Sequence, residues 1–129
     1  MNEHIRHGMG SVRPYLHGPV SLVTFVATVF DAEELERHAF GPESFHVEMR
    51  VGDAVLVIEA GELPPDVAPW TNAIYVYVPD VDAAFERAMA LGAEAIARPA
   101  DKPYQERQAG FRDVAGNIWW IGTFQAGQG

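Results

Sequence analysis

NAIYVYVPDVDAAFERAMALG (residues 72–92) and RDVAGNIWWIGTF (residues 112–124) decide the fold of this chain. The first stretch opens with an alternating run typical of a β-strand. Asp80 can then cap a helix whose apolar residues recur at helical spacing, and Gly92 can end it. Further strands are predicted near residues 94–97, 108–113 and 118–124. The pattern is one strand, one helix and three strands.

The first half of the chain repeats this pattern more weakly. A strand near residues 12–17 precedes an apolar helix predicted over residues 20–32. The segment 34–40 is predicted as a strand, although AEELER alone also favours continued helix. The last two strands are predicted over residues 45–51 and 54–59, joined by a turn at Gly52-Asp53. The repetition indicates an internal duplication and a curved sheet that encloses a cavity.

The predicted modules cover residues 12–60 and 72–124 of a single domain, 12–124, and a proline-rich linker at 61–71 joins them. The flanking segments 1–11 and 125–129 are expected to be flexible. A chain of 129 residues with 48% hydrophobic content can form one core.

Composition excludes several classes of partner. The formal net charge is −9 and no block of Lys or Arg offsets it, so neither nucleic acid nor a membrane is expected to bind. The chain has no cysteine, which excludes disulfides and thiolate chemistry. Neither a signal peptide nor a segment long enough to cross a bilayer is recognisable, and we expect a cytoplasmic protein.

Strand alternation predicts which faces could bind a ligand. Val47 and Val76 belong to aliphatic sets that suit a helix-covered face, whereas the residues between them are polar or aromatic. Aromatic walls with a few polar anchors are typical of a small-molecule cavity. The candidate ligand-binding residues are His46, Glu48, Arg50, Trp70, Tyr75, Tyr77, Arg107 and Trp120. The alternatives are a solvated sheet face, tyrosines that only fill the cavity of the curved sheet or a dimer interface, and a solvated Arg107.

His46 is the candidate for acid–base chemistry, because Glu48 and Arg50 could tune its pKa. Alternatively, His46 is a hydrogen-bonded strand residue, and Glu48 pairs with Arg50. Trp70 could cover a cavity or fasten the linker.

Residues 12–124 resemble the vicinal oxygen chelate superfamily, also called the glyoxalase/bleomycin-resistance/dioxygenase family, and its PhnB-like branch most. The resemblance rests on RPYL (13–16), VGD (51–53), YVPDVDA (77–83) and RDVAGNIW (112–119), with Val114 where proline is usual. It implies an α+β fold in which two βαβββ modules form a cupped eight-stranded mixed sheet with helices on the convex face. It also implies a homodimer, in some members domain-swapped, with Trp120 rather than Trp119 on the cavity side and a loop at 102–107 bordering the site.

Metal-dependent members of this family carry His, Glu or Gln on the first and last strands of both modules. The corresponding positions here hold Arg13 or Pro14, Ile58 or Glu59, Ala73, and Trp120. Only Glu59 could ligate a metal, and one carboxylate binds a divalent ion too weakly for catalysis. The five histidines show no paired ligand spacing on one element. We therefore expect no cofactor and no divalent metal.

These observations favour a metal-independent binding protein of the antibiotic-resistance type. It would sequester a planar or aromatic organic ligand, such as a drug or metabolite, in a cavity associated with the dimer. The alternative is a lyase, isomerase or dioxygenase-like enzyme that uses His46 as general base, with or without a divalent metal. A third alternative is an inactive structural or regulatory partner.

Overall fold

The computed structural model describes residues 3–126. The chain divides into two compact units, and the boundary between Trp70 and Thr71 falls inside the predicted linker. Each unit has the order strand, helix and three strands, which confirms the α+β class and the two βαβββ modules. The eight strands form two four-stranded sheets. No helix within residues 3–126 is long and apolar enough to cross a membrane. Of the flexible C-terminal segment predicted at 125–129, residues 127–129 lie outside the described residues, as do residues 1–2 of the predicted flexible N-terminus.

The first unit contains a mixed sheet of order β1-β4-β3-β2, in which β1 runs parallel to β4 and the other pairs are antiparallel. A short 3-10 turn at Arg6–Gly8 precedes the sheet. The elements are β1 Tyr15–Gly18, α1 Ser21–Phe30, β2 Glu33–Gly41, β3 Ser44–Val51 and β4 Ala54–Gly61.

The ambiguous segment after α1 is a strand. Asp31 adopts a left-handed conformation (φ 52°) that ends the helix at Phe30, two residues earlier than predicted. The following residues then pair with β3, from Glu33 opposite Arg50 to Gly41 opposite Ser44. This pairing overrides the local helix propensity of AEELER, because tertiary hydrogen bonding outweighs small intrinsic preferences.

The second unit repeats the topology, with sheet order β5-β8-β7-β6. Asp80 caps its helix by accepting a hydrogen bond from the backbone N–H of Ala83 (3.1 Å), and Gly92 follows with φ 89°. Both caps match the sequence prediction. The elements are β5 Ala73–Tyr77, α2 Val81–Ala90, β6 Glu94–Lys102, β7 Glu106–Arg112 and β8 Ile118–Phe124. Because β6 and β7 are longer than predicted, the expected loop at 102–107 shrinks to a turn.

Each helix covers one face of its own sheet. In the first unit, Val47 and Met49 are completely buried on the face that α1 contacts. In the second, Trp119 is completely buried, and Phe111 meets Phe85 of α2 edge to face at 6.4 Å. The opposite face of each sheet is therefore not covered by that unit's helix.

Candidate functional site

The face of the first sheet opposite α1 is polar. His46 lies between Glu59 on β4 and His38 on β2, and the next row across the strands places Glu48 beside Glu36. We call His46, Glu48, Glu59 and Glu36 the polar face. The predicted proximity of His46 and Glu48 is thus observed within this unit.

His46 is held between two carboxylates. Its Nδ1 lies 2.6 Å from Glu59 Oε1, and its Nε2 lies 3.1 Å from Glu48 Oε2. Burial lowers the pKa of His46. The hydrogen bonds to Glu59 and Glu48 together raise it by more, so the net shift of the pKa is upward. Both ring nitrogens are therefore engaged as donors, which favours the imidazolium form.

Glu48 is the buried centre of this face, with 4% of its surface exposed. Arg13 NH1 donates to its Oε1 (3.2 Å), and His7 Nε2 lies 3.1 Å from the same oxygen. Arg13 also donates to the backbone carbonyls of Gly10 (2.8 Å) and Met9 (3.0 Å). These bonds place the N-terminal segment, predicted as flexible, against the polar face.

The side chain of Arg6, also from the N-terminal segment, binds Glu36. Arg6 Nε donates to its Oε1 (2.7 Å), and Arg6 NH2 donates to its Oε2. The hydrogen bond from Arg6, with help from His38, outweighs partial burial and lowers the pKa of Glu36 to about 2. The N-terminal segment thus supplies the cations that neutralise this acidic row.

Two candidates of the first unit lie apart from this cluster. Arg50 NH2 forms an ion pair with Glu33 (2.9 Å), so the suggested pairing of Arg50 with Glu48 is wrong. Trp70 stacks on Tyr15 with ring centroids 4.9 Å apart and donates to the Tyr15 carbonyl oxygen (2.7 Å). Trp70 therefore fastens the linker to β1, which is the second of its two predicted roles.

The face of the second sheet opposite α2 is aromatic. Tyr75, Trp120 and Gly110 form one row across β5, β8 and β7. The next row on the same face holds Tyr77 and Gln108, with Gly122 between them. We call Tyr75, Tyr77 and Trp120 the aromatic face, and it brings together three residues predicted to bind ligand.

Two glycines make room for these rings. A Cβ atom at position 110 would lie 2.6 Å from Cε3 of Trp120, and one at position 122 would lie 2.9 Å from Cζ of Tyr75. Real side chains do not approach so closely, so each ring lies over the backbone of a glycine on a neighbouring strand. Sequence reasoning missed both glycines, although an isolated glycine in a strand often indicates such a close approach.

Glu106 connects the two tyrosines and was also missed. Tyr77 donates its hydroxyl hydrogen to Glu106 Oε2 (2.5 Å), and Tyr75 donates to Oε1. Gln108 in turn donates to the Tyr75 hydroxyl (2.9 Å). The hydrogen bonds from Tyr75 and Tyr77 lower the pKa of Glu106. Burial and the hydrogen bond to Glu106 raise the pKa of Tyr75 to about 12.

Arg107 does not share this face. Its guanidinium donates to both carboxylate oxygens of Asp82 on α2 (2.7 and 3.0 Å) and to Asp101 (3.1 Å). Alternation along β7 places it on the helix side of the sheet, opposite to Gln108. The prediction that Arg107 lines the ligand site therefore finds no geometric support.

Comparison with known proteins defines the class. The sequence model of the Glyoxalase/Bleomycin resistance protein/Dioxygenase superfamily matches residues 20–121. The chain belongs to this family. No curated protein sequence matches it.

Solved structures share its fold at low identity. TioX from Micromonospora sp. ML1 has a TM-score of 0.67 and 23% identity, covering 88% of this chain and 98% of TioX. The fosfomycin resistance protein FosX from Listeria monocytogenes, complexed with Mn(II) and sulfate, has a TM-score of 0.64 and 18% identity, covering 91% of each chain. A PhnB protein from Bacillus cereus has a TM-score of 0.67 and 12% identity, covering 88% of this chain and 98% of its own.

The residues at the positions where metal-dependent members of the family carry their metal ligands are not suited to hold a metal in this chain. Glu59, the single candidate ligand, bonds His46 and accepts from Tyr15 (3.2 Å), and Arg13 brings a positive charge instead of a lone pair. Three other side chains do converge: ligand atoms of His7, Glu36 and Glu48 lie within 4.8 Å of one another. They come from three separate elements, which is why sequence spacing missed them. This triad could hold a divalent ion, but Arg6 and Arg13 already bind its carboxylates.

Proposed function

We propose that this chain is a small-molecule binding protein that sequesters a planar or aromatic organic ligand without using a metal. The observation that carries the proposal is the placement of Trp120 and Tyr75 over Gly110 and Gly122. Rings that lie against a sheet backbone present their faces outward, and a planar ligand can stack on them. Tyr75 and Tyr77 remain 42% and 63% exposed, so their surfaces are accessible within this unit.

The state of His46 argues against the enzyme alternative. A general base needs a neutral imidazole with a free nitrogen near the substrate. Here Glu59 and Glu48 engage both nitrogens, and the pKa of His46 is raised. The polar face is a set of compensated charges, which suits anchoring better than proton abstraction.

Fluorescence titration with an uncharged methylacridine tests the proposal. Stacking on Trp120 should quench the intrinsic emission, and binding only to the native state should raise the melting temperature. Each stacked ring contributes about 1 kcal/mol, so Trp120→Ala should weaken binding by about fivefold or more. Tyr104→Ala is the matched control, because it removes an exposed aromatic side chain from the β6–β7 turn.

The probe should be recovered unchanged after long incubation. Turnover that is lost in His46→Ala would replace the proposal with the enzyme alternative. Native mass spectrometry of protein purified without chelators should in addition report the expected homodimer and any ligand that copurifies.

A further inference from the structure

The aromatic face carries a negative charge without a basic partner. Glu106 is only 9% exposed, and within residues 3–126 no lysine or arginine lies within ion-pair distance of it. Lys102 lies opposite Glu106 in the strand register but forms no ion pair with it. Because Tyr75 and Tyr77 lower the pKa of Glu106, this carboxyl group is ionised at neutral pH.

The first unit shows the contrast. Glu48 is similarly buried, but Arg13 and His7 neutralise it. The hydrogen bonds from the two neutral phenols hold Glu106 in its charged form, but within residues 3–126 they leave its negative charge without a counter-ion. Glu106 would therefore gain from a cation supplied by a ligand.

The hydrogen-bonding groups around Glu106 also favour a ligand that carries donors or a positive charge. Each tyrosine hydroxyl has one hydrogen, and Glu106 already accepts both. Among residues 3–126, and apart from the amide group of Gln108, the groups beside Glu106 offer a ligand only acceptor oxygens and ring surfaces. A ligand must bring the donors or the positive charge itself.

The rings are arranged to receive a cation. Tyr75 and Tyr77 have centroids 5.4 Å apart and planes inclined at 64°, so they form two sides of a corner beside Glu106. A cation within about 6 Å of a ring centroid is attracted to the ring face. A cation bound on the exposed ring of Tyr77 would therefore lie close to the carboxylate that the Tyr77 hydroxyl contacts.

We infer that this face selects planar organic cations, with the ligand ring against Trp120 and its positive charge beside Tyr77 and Glu106. The inference rests on the proposed function and adds the charge of the ligand. The formal net charge of −9 would also speed the arrival of a cation.

Three acridines of similar shape test this selectivity. N-methylacridinium is a permanent cation, a methylacridine is uncharged at mildly alkaline pH, and an acridine carboxylate is an anion. The cation should bind about tenfold more tightly than the uncharged compound, as expected for a partly desolvated cation–π and carboxylate contact. The anion should bind most weakly. Added salt should narrow the difference between cation and uncharged probe.

Glu106→Gln should abolish the preference for the cation, so that the ratio of the affinities for N-methylacridinium and methylacridine falls to about one. Glu86→Gln, on the exposed side of α2, removes the same charge at a remote position and should keep the preference. Lys102→Gln should strengthen binding of the cation, because it removes the positive side chain opposite Glu106. If Glu106→Gln does not fold, the salt dependence of the cation preference and the effect of Lys102→Gln on cation binding still test the role of the Glu106 charge.

The outcomes separate the two levels of the hypothesis. Equal binding of cation and uncharged probe would overturn the charge selectivity and leave the proposed function standing. A preference that survives in a folded Glu106→Gln would overturn the role of this carboxylate. If none of the three acridines binds, the proposed function fails and the inference fails with it.

Discussion

The indole ring of Trp120 lies over the backbone of Gly110, its register partner on β7. The glycine has no side chain to hold the ring away from the sheet, so the ring covers the strand next to its own. The aromatic face therefore depends on a residue that contributes no side chain.

Replacing Gly110 with Ala should displace the Trp120 ring. The new methyl group would lie 2.6 Å from Cε3, so stability should fall by about 1–3 kcal/mol, as in overpacked sites, and methylacridine should bind more weakly. Urea unfolding and fluorescence titration measure both effects. Gly41→Ala is the control, because its nearest neighbour would be Ser44 Cβ at an ordinary 3.4 Å. Equal behaviour of the two variants would show that the ring does not need this glycine.

Asp113 should be essential for the closing strand. Its carboxylate accepts from Trp119 Nε1 (2.7 Å) and from Asn117 Nδ2 (3.1 Å), and all three residues are buried. Asp113→Ala leaves these donors unsatisfied, so the free energy of unfolding should drop by about 3 kcal/mol or more. Asp66→Ala, in the exposed linker, should change stability little in the same urea experiment. A small loss in Asp113→Ala would contradict the network.

The two faces of a strand should respond differently to substitution. Val47 is completely buried, and Val47→Asp would place an unpaired charge against α1, so we expect a loss of about 3 kcal/mol or more. Tyr77→Ala, at a position 63% exposed, should be milder and should mainly weaken ligand binding. Thermal unfolding with and without methylacridine distinguishes the two effects. Tolerance of Val47→Asp together with unfolding of Tyr77→Ala would invert the assignment.

Tyr75 should titrate late. Its pKa in the folded protein is raised to about 12, whereas an unfolded tyrosine has a pKa of about 10. The fold favours the neutral phenol, so this stabilisation is fully present below about pH 10 and is lost as pH rises through about 12. Absorbance of the phenolate, compared between the wild type and Tyr75→Phe, measures the transition. Tyr104→Phe is the matched control, because it also removes one tyrosine hydroxyl group. A difference in phenolate absorbance between the wild type and Tyr75→Phe that is centred near pH 10 would refute the raised pKa of Tyr75.

Purified protein should contain less than about half an equivalent of divalent metal per chain, because Arg6 and Arg13 already bind the carboxylates of the His7 triad. Elemental analysis after gel filtration measures this directly. Arg6→Ala should raise the affinity for added Mn²⁺, and Glu36→Gln in that background should reverse the gain. Stoichiometric metal that survives gel filtration would show that the proposed metal independence is wrong.

Much of the fold could be predicted from local patterns. Asp80 and Gly92 identified the ends of α2, and strict alternation placed the side chains of Val47 and His46 on opposite faces of the first sheet. The candidate site was only partly predictable. Tyr75, Tyr77 and Trp120 do share a face. Glu106 was missed and Arg107 was misplaced, because residues 102–107 were predicted as a loop although β7 begins at Glu106.

The sequence by itself determined the order of the elements and the face of each strand that carries polar or aromatic side chains. These features depend on caps, turns and periodicity within a few residues, and one chain segment contains all of that information. Tertiary structure alone decided that AEELER is a strand, that His7 meets Glu48, and that Gly110 lies beneath Trp120. Such contacts depend on the register between strands distant in sequence, and that register is fixed only when whole elements pack together.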